Sequence, residues 1–159
     1  MARKVLITEK MTTGNPNLRK VPHLYTIDQP VGLLFPDKLS PNVLADVALV
    51  QFMLYIWKYV TDTGIGSQPF GKGANRPPLT GKFDPVTLFW MLNMQNFHLQ
   101  DPVSCSFDPI DPAFPAKPGG ASMKRLNTVI LDLRPDLFRD ITKVPDCPTI
   151  LIHPLRDTD

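Results

Sequence analysis

The chain has 159 residues, the length of one typical domain. Its 43% hydrophobic residues and formal net charge of +2 exclude a disordered tail and a strongly basic nucleic-acid-binding surface. Eighteen prolines exclude a chain that is mostly helix or sheet interior, because proline lacks an N–H group and has a fixed φ angle. We therefore expect a few helices joined by long extended segments.

Residues 1–40 are predicted to form an extended N-terminal arm. Four prolines interrupt every helical period in this arm, namely Pro16, Pro22, Pro30 and Pro36. The short apolar runs 5–8, 24–27 and 31–35 are predicted to be extended or strand segments. No apolar run here reaches the length of a secretory signal, so the chain is expected to be made in the cytoplasm without a signal peptide.

Residues 41–60 carry the strongest helical pattern of the chain. The predicted first helix carries two apolar stripes along its length. One stripe consists of Val43, Val47, Val50, Leu54 and Trp57, and the other of Leu49, Phe52, Met53, Ile56 and Val60. Ser40 or Asp46 is expected to cap its N-terminus. A helix that is apolar nearly all round must be covered either by the terminal arms or by another chain.

A second helix is predicted to begin at Asp84-Pro85, because aspartate caps helices and proline suits the first helical position. In the turn before it, Gly81 is expected to take a positive φ angle, Phe83 to anchor the turn in the core and Thr87 to add a local hydrogen bond. A third helix of the core is expected over 122–133, closed by Pro135. The run 149–153 between two prolines is predicted to be an edge strand within a C-terminal arm, residues 135–159.

Three short patterns resemble the peptidoglycan-binding-like domain family. Leu79-Thr-Gly-Lys-Phe-Asp-Pro-Val-Thr87, before a helix ending in Met94-Gln95, is similar to the family's turn and second helix. Ala48-Leu49-Val50-Gln51 resembles its first-helix step, and Met123-Lys-Arg-Leu-Asn127 resembles the start of its last helix. Thr80 stands where the family has an acidic residue, and Asp84 where it has a second glycine.

The resemblance covers residues 43–131 and implies a mainly α fold. We expect a three-helix core over residues 41–134, with long proline-rich loops and extended or β terminal arms. It also implies that the turn contacts cell-wall glycan. The residues of this predicted wall-binding turn are Thr80, Gly81, Lys82, Phe83, Asp84, Thr87 and Gln95.

No catalytic or metal site is predicted, so the chain is interpreted as a non-enzyme without cofactor. His23, His98 and His153 are far apart in the sequence and in no metal-ligand spacing. Cys105 and Cys147 allow one disulfide, but two buried free thiols are the favoured interpretation.

Polar and aromatic side chains on the helices have a structural interpretation. Gln51, Asn93 and Gln95 are expected to bond backbone groups of loops, because buried polar groups need partners. The aromatic residues of the first two helices are expected to pack in the core or at a protein interface rather than on sugar rings; they are Tyr55, Trp57, Tyr59 and Trp90.

The sequence is compatible with two functions. The favoured one is a structural subunit of a larger protein assembly, such as a phage virion, phage tail or related injection apparatus, with other protein subunits as partners and neither nucleic acid nor membrane. Its predicted assembly interface consists of Leu49, Phe52, Met53, Ile56, Tyr59, Ile150, Leu151 and Ile152. The alternative is a soluble peptidoglycan-binding module accessory to a wall-degrading enzyme.

Overall fold

The computed structural model describes residues 1–7, 16–34, 38–60, 77–98, 105–110 and 118–156. These ranges hold five α-helices and five short strands, so the fold is mainly helical, as the resemblance implies. The expectation that the prolines exclude a mostly helical chain is wrong, because several of them stand at the first position of a helix, as Pro85, Pro118 and Pro135 do. No helix within them is long and apolar enough to cross a bilayer. Irregular loops are predicted over 62–82 and 101–118, and of these residues 62–76, 101–104 and 111–117 lie outside the described part of the chain.

The N-terminal segment forms strands, as its short apolar runs predict. Strands β1 (Arg3–Leu6) and β2 (His23–Thr26) are antiparallel, with Val5 opposite Leu24. Strand β3 (Val31–Leu34) pairs antiparallel with β4 (Lys38–Leu39) on one side and β5 (Ser106–Phe107) on the other. A 3-10 helix, Pro16–Lys20, lies between β1 and β2 in the chain.

Helix α1 (Leu44–Tyr55) lies inside the molecule, and a π-helix, Ile56–Val60, continues it. Every residue from Ala45 to Tyr55 is buried. The cover comes from the same chain, because α1 contacts β3 and the three helices α2 (Pro85–His98), α3 (Pro118–Leu133) and α5 (Thr149–Leu155). The apolar excess of α1 is therefore satisfied within one copy of the protein.

The N-terminus of α1 differs from the predicted cap. Val43 occupies the capping position and makes no side-chain bond, so neither Ser40 nor Asp46 caps the helix. Asp46 instead lies fully buried in the first turn, where its carboxylate accepts the backbone N–H groups of Asp28 and Gln29 at 3.3 and 3.1 Å. The Asp46 carboxylate therefore bonds the turn between β2 and β3 rather than the N-terminus of α1.

Helix α2 begins where the sequence predicts. The Asp84 carboxylate accepts the Thr87 backbone N–H at 2.7 Å and the Thr87 hydroxyl at 2.8 Å, which completes the cap. Helix α3 begins four residues before the predicted start and ends, as expected, at the residue before Arg134-Pro135. Helix α4 (Pro135–Phe138) then opens on that proline.

The predicted C-terminal strand is wrong, since Thr149–Leu155 forms helix α5. Leu151 and Leu155, one helical turn apart, are both fully buried. The helix packs on α1 and β1, and Pro154 lies in its last turn. A short apolar run does not distinguish a buried helix from a strand, and burial of one helical face decided the matter here.

Contacts cross both predicted domain boundaries, at residues 40 and 134. The Asn127 amide of α3 accepts the Tyr25 N–H and donates to the Tyr25 carbonyl, each at 2.8 Å. The Tyr25 hydroxyl donates to the Phe138 carbonyl at 3.0 Å and accepts the Ile141 N–H at 3.3 Å. The segments predicted to be arms are thus packed parts of the core.

Replacing Asn127 by alanine tests this connection. The change leaves the buried Tyr25 N–H and carbonyl without their partner, so we expect a loss of about 2–4 kcal/mol in the free energy of unfolding. Urea unfolding followed by circular dichroism gives the value. The control is Asn17→Ala, which removes an exposed bond to Asp132 and should change stability by less than about 0.5 kcal/mol. Equal effects of both variants would contradict the assigned role of Asn127.

Candidate functional site

The turn before α2 is held by one buried side chain, Gln51 of α1. Its amide nitrogen donates to the Lys82 carbonyl at 3.0 Å and to the Thr87 hydroxyl at 2.9 Å. Its amide oxygen accepts the Gly81 N–H at 2.8 Å. The prediction that Gln51 satisfies loop backbone groups is therefore confirmed. Because one rigid helix supplies the donor and the acceptor, the turn has a fixed position on α1.

Gly81 meets two conditions that only glycine satisfies without strain. Its φ angle is +70°, as the sequence predicts for this turn. A Cβ atom at this position would stand 3.1 Å from Cγ of Leu44 and 3.3 Å from the Leu44 carbonyl oxygen. The turn therefore lies directly against the start of α1.

The structure separates the predicted wall-binding residues by exposure. Thr80 and Lys82 are exposed, and their side chains can meet a partner. Phe83, the predicted core anchor, is half-buried and packs against the core, and Asp84 is half-buried.

The remaining predicted wall-binding residues are buried. Gly81 and Thr87 take part in the bonds that hold the turn. Gln95 lies elsewhere, fully buried, and donates to the Ser122 hydroxyl of α3 at 2.7 Å, so it is not part of an exposed wall-binding surface. Because α2 turns Gln95 toward α3, it cannot share a surface with Thr80 and Lys82.

Four apolar side chains are exposed at the N-terminal ends of α1 and α2. Val43 and Leu44 are 40% and 49% exposed, and Val86 and Phe89 are 38% and 43% exposed. The turn lies between these pairs, because Gly81 touches Leu44 and Asp84 caps the helix that carries the other two. We define the α1–α2 surface as Val43, Leu44, Thr80, Lys82, Val86 and Phe89.

The sequence pattern did not reveal this surface. Periodicity puts Val86 on a stripe with Trp90, which is buried, and so predicts that both face the core. In the structure the Gln51 bond draws the neighbouring Thr87 inward, which turns Val86 outward. The orientation of Val86 depends on the hydrogen bond between buried Gln51 of α1 and Thr87 of α2. This bond is a tertiary contact, so the apolar pattern along α2 does not reveal it.

The first part of the predicted assembly interface, on α1 and its π-helical continuation, is wrong. Leu49, Phe52, Met53 and Ile56 have no exposed surface, because the chain itself covers α1. Within α5, Leu151 is fully buried, Ile152 is half-buried and Ile150 is 42% exposed. The Tyr59 side chain lies outside the described residues.

The structure places the aromatic residues as expected and the cysteines only in part. Tyr55, Trp57 and Trp90 are buried, so the packing role expected for them is confirmed. Both cysteines are free thiols, and Cys105 is exposed rather than buried as predicted. His23 is buried and His153 is exposed, while the His98 side chain lies outside the described residues.

Cys147 is the half-buried thiol. Burial, with a smaller contribution from the charge of Asp140, raises its pKa to about 11. A thiol with a raised pKa stays protonated at neutral pH and is a poor nucleophile. No three His, Cys, Asp or Glu side chains among the described residues are grouped as metal ligands.

No protein-family model, curated protein or solved structure matches the chain. The resemblance to the peptidoglycan-binding-like family therefore stays a prediction from the residues quoted above.

Replacing Gln51 by leucine tests whether the amide holds the turn. The change keeps side-chain size but leaves the Gly81 N–H, the Lys82 carbonyl and the Thr87 hydroxyl without their partner. We expect a loss of about 2–4 kcal/mol in the free energy of unfolding. Amide hydrogen exchange at Gly81 should also accelerate. Lys82→Ala is the control, because the Lys82 side chain is exposed and only the backbone of Lys82 bonds Gln51, so its loss should matter little. Unchanged exchange at Gly81 in the Gln51→Leu variant would contradict the assigned role of Gln51 in holding the turn.

The two cysteines should differ in reactivity. In the folded protein at about pH 8, iodoacetamide should label exposed Cys105 readily and Cys147 hardly at all, since the raised pKa of Cys147 keeps it protonated until the pH approaches 11. Mass spectrometry of proteolytic fragments assigns the labels. In urea both thiols should react alike, which serves as the control. Fast labelling of Cys147 in the folded state would contradict its burial.

Proposed function

We propose that the protein is a non-enzymatic subunit of a larger protein assembly and docks through the α1–α2 surface. The supporting observation is the group of four exposed apolar side chains beside a turn that Gln51 holds in place. Clustered exposed apolar side chains with a polar rim are typical of protein contact sites. Here Thr80 and Lys82 supply that rim.

The surface is well suited to a defined partner because it is fixed before binding. The turn is bonded to α1 through both ends of the Gln51 amide, so docking does not have to order it. Phe89 is the natural anchor, since large aromatic side chains carry much of the binding energy at interfaces. Its ring packs edge-on against Trp90 with centroids 5.7 Å apart, which limits its mobility.

The proposed interface differs from the one that the sequence predicts. The argument that α1 needs a second chain no longer applies, because the chain covers α1 itself. The proposal now depends on the side chains that stay exposed. We also propose the phage virion, phage tail or related injection apparatus as the setting, which the resemblance of residues 79–87 to a wall-binding family supports.

Peptidoglycan binding is the second candidate, and one observation favours it. The exposed Thr80 hydroxyl and Lys82 ammonium lie on the same held turn as the α1–α2 surface, which also offers the Phe89 ring. Hydroxyl and ammonium groups can bond sugar hydroxyl and acyl oxygens, and an exposed ring can stack on a sugar face. On this candidate, only the exposed members of the predicted turn contact glycan.

Assembly is tested in cells that make the native particle, with a tagged copy of the chain. Phe89→Ser should shift the chain from high-mass particles to the free fraction, because losing a central aromatic anchor weakens binding by about 30-fold or more. The matched control is Ile150→Ser, which changes an equally exposed side chain on α5. Sedimentation with quantitative blotting measures the distribution.

Each outcome of this experiment decides between the candidates. A wild-type chain found only in the free fraction would contradict the assembly proposal. Loss of assembly in Ile150→Ser alone would move the interface to α5. Retention on purified sacculi that Lys82→Ala abolishes, without any high-mass particle, would favour peptidoglycan binding instead.

A further inference from the structure

The outward face of helix α2 carries no charged side chain, because every residue from 85 to 96 is uncharged. Exposed and half-buried residues recur every three or four positions, so they form one stripe along the helix. This stripe consists of Pro85, Val86, Phe89, Leu92 and Asn96, with half-buried Leu88 beside it. Surface helices ordinarily present charged or polar residues to water, so a stripe of this kind is typical of a face that packs on another element.

The stripe extends the α1–α2 surface along the helix. Val86 and Phe89 belong to both, and Leu92 follows Phe89 by three residues. The opposite side of α2 is fixed in the core, where Trp90 and Met94 are buried. Side chains three and four residues apart form ridges that fit into the grooves of a second helix. That helix must itself be uncharged along the contact, since a charge buried there would have no counter-charge.

A second copy of α2 meets this requirement and also matches the charges at the ends of the stripe. Lys82 is exposed seven residues before Phe89, and Asn96 is exposed seven residues after it. In an antiparallel pair centred on Phe89, Lys82 of each copy therefore lies beside the last turn of the other α2. The C-terminal end of a helix carries partial negative charge, which favours a cation there. A two-fold axis makes this contact twice.

We propose that the α1–α2 surface binds a second copy of this chain through an antiparallel pair of α2 helices, with Phe89 at the two-fold axis. The inference rests on the proposed docking function and names its partner. Most soluble assemblies of identical chains contain two-fold contacts of this type. One helix pair is at the small end of interface sizes, so the isolated dimer is weak and forms at high protein concentration.

Sedimentation velocity of the purified full chain, from about 10 µM to about 1 mM, tests the dimer. We expect the wild-type chain to shift from monomer to dimer as its concentration rises. Phe89→Lys places two like charges at the axis and should raise the dissociation constant by about 30-fold or more. Ile150→Lys is the matched control, because Ile150 is 42% and Phe89 43% exposed, and it should leave the dimer unchanged.

A mixing experiment tests the two-fold arrangement itself. Phe89→Lys and Phe89→Asp should each be monomeric alone, whereas their equimolar mixture should form a heterodimer, because position 89 faces position 89 of the other copy. Lys82→Glu changes only an exposed side chain and should weaken the dimer by about 2–5-fold, since it puts a negative charge beside the C-terminal end of the other helix. This variant keeps the test decisive if a substitution at Phe89 prevents folding, which circular dichroism detects.

The outcomes separate this inference from the proposed function. A purified chain that stays monomeric at about 1 mM, yet enters high-mass particles in a Phe89-dependent way, would overturn the second copy as partner and leave the docking function standing. A dimer that survives Phe89→Lys as it survives Ile150→Lys would overturn the inference. So would a mixture of the two Phe89 variants without heterodimer, or an unchanged dissociation constant in Lys82→Glu.

Discussion

Three carboxamide side chains each bond both an N–H group and a carbonyl of backbone elsewhere in the chain. Gln51 holds the turn before α2, Asn127 pairs with both backbone groups of Tyr25, and Asn42 does the same at Gly32, with distances of 2.8 and 3.1 Å. A chain rich in proline and short strands leaves many N–H and carbonyl groups without a strand partner. An amide side chain carries one donor group and one acceptor, so it can replace that partner on the buried side.

These attachments explain how one copy encloses an unusually apolar helix. Asn127 bonds β2 to α3, and Gln51 bonds the turn before α2 to α1. The N-terminal segment and this turn therefore pack on the helices and cover the core instead of extending into solvent. Helix α5 completes the cover through Leu151 and Leu155. The hydrophobic effect is thus satisfied internally along α1.

Four of the seven exposed large apolar side chains in the described ranges lie at the N-terminal ends of α1 and α2, beside the turn that Gln51 holds. The Gln51 bond draws Thr87 into the core and leaves Val86 and Phe89 outside, so the same interaction both builds the turn and creates the α1–α2 surface. The assembly and glycan hypotheses differ in which part of this surface makes contact. Phe89 and Leu44 are central to the first, whereas Lys82 and Thr80 are central to the second.

The sequence alone predicted the features that depend on near neighbours. The Asp84 cap, the positive φ angle of Gly81, the end of α3 before Pro135 and the short N-terminal strands all follow from local backbone chemistry. The sequence also identified Gln51 as a residue that bonds loop backbone.

Only the tertiary structure decided which apolar faces are covered and by what. The buried face of α5, the cover of α1 and the outward orientation of Val86 each depend on contacts between residues distant in the chain. The helix at 149–155 and the strand expected there would bury the same leucine at 151, so the local pattern could not separate them. The physical reason is that burial is a property of the assembled core, whereas caps and turns are properties of a few consecutive residues.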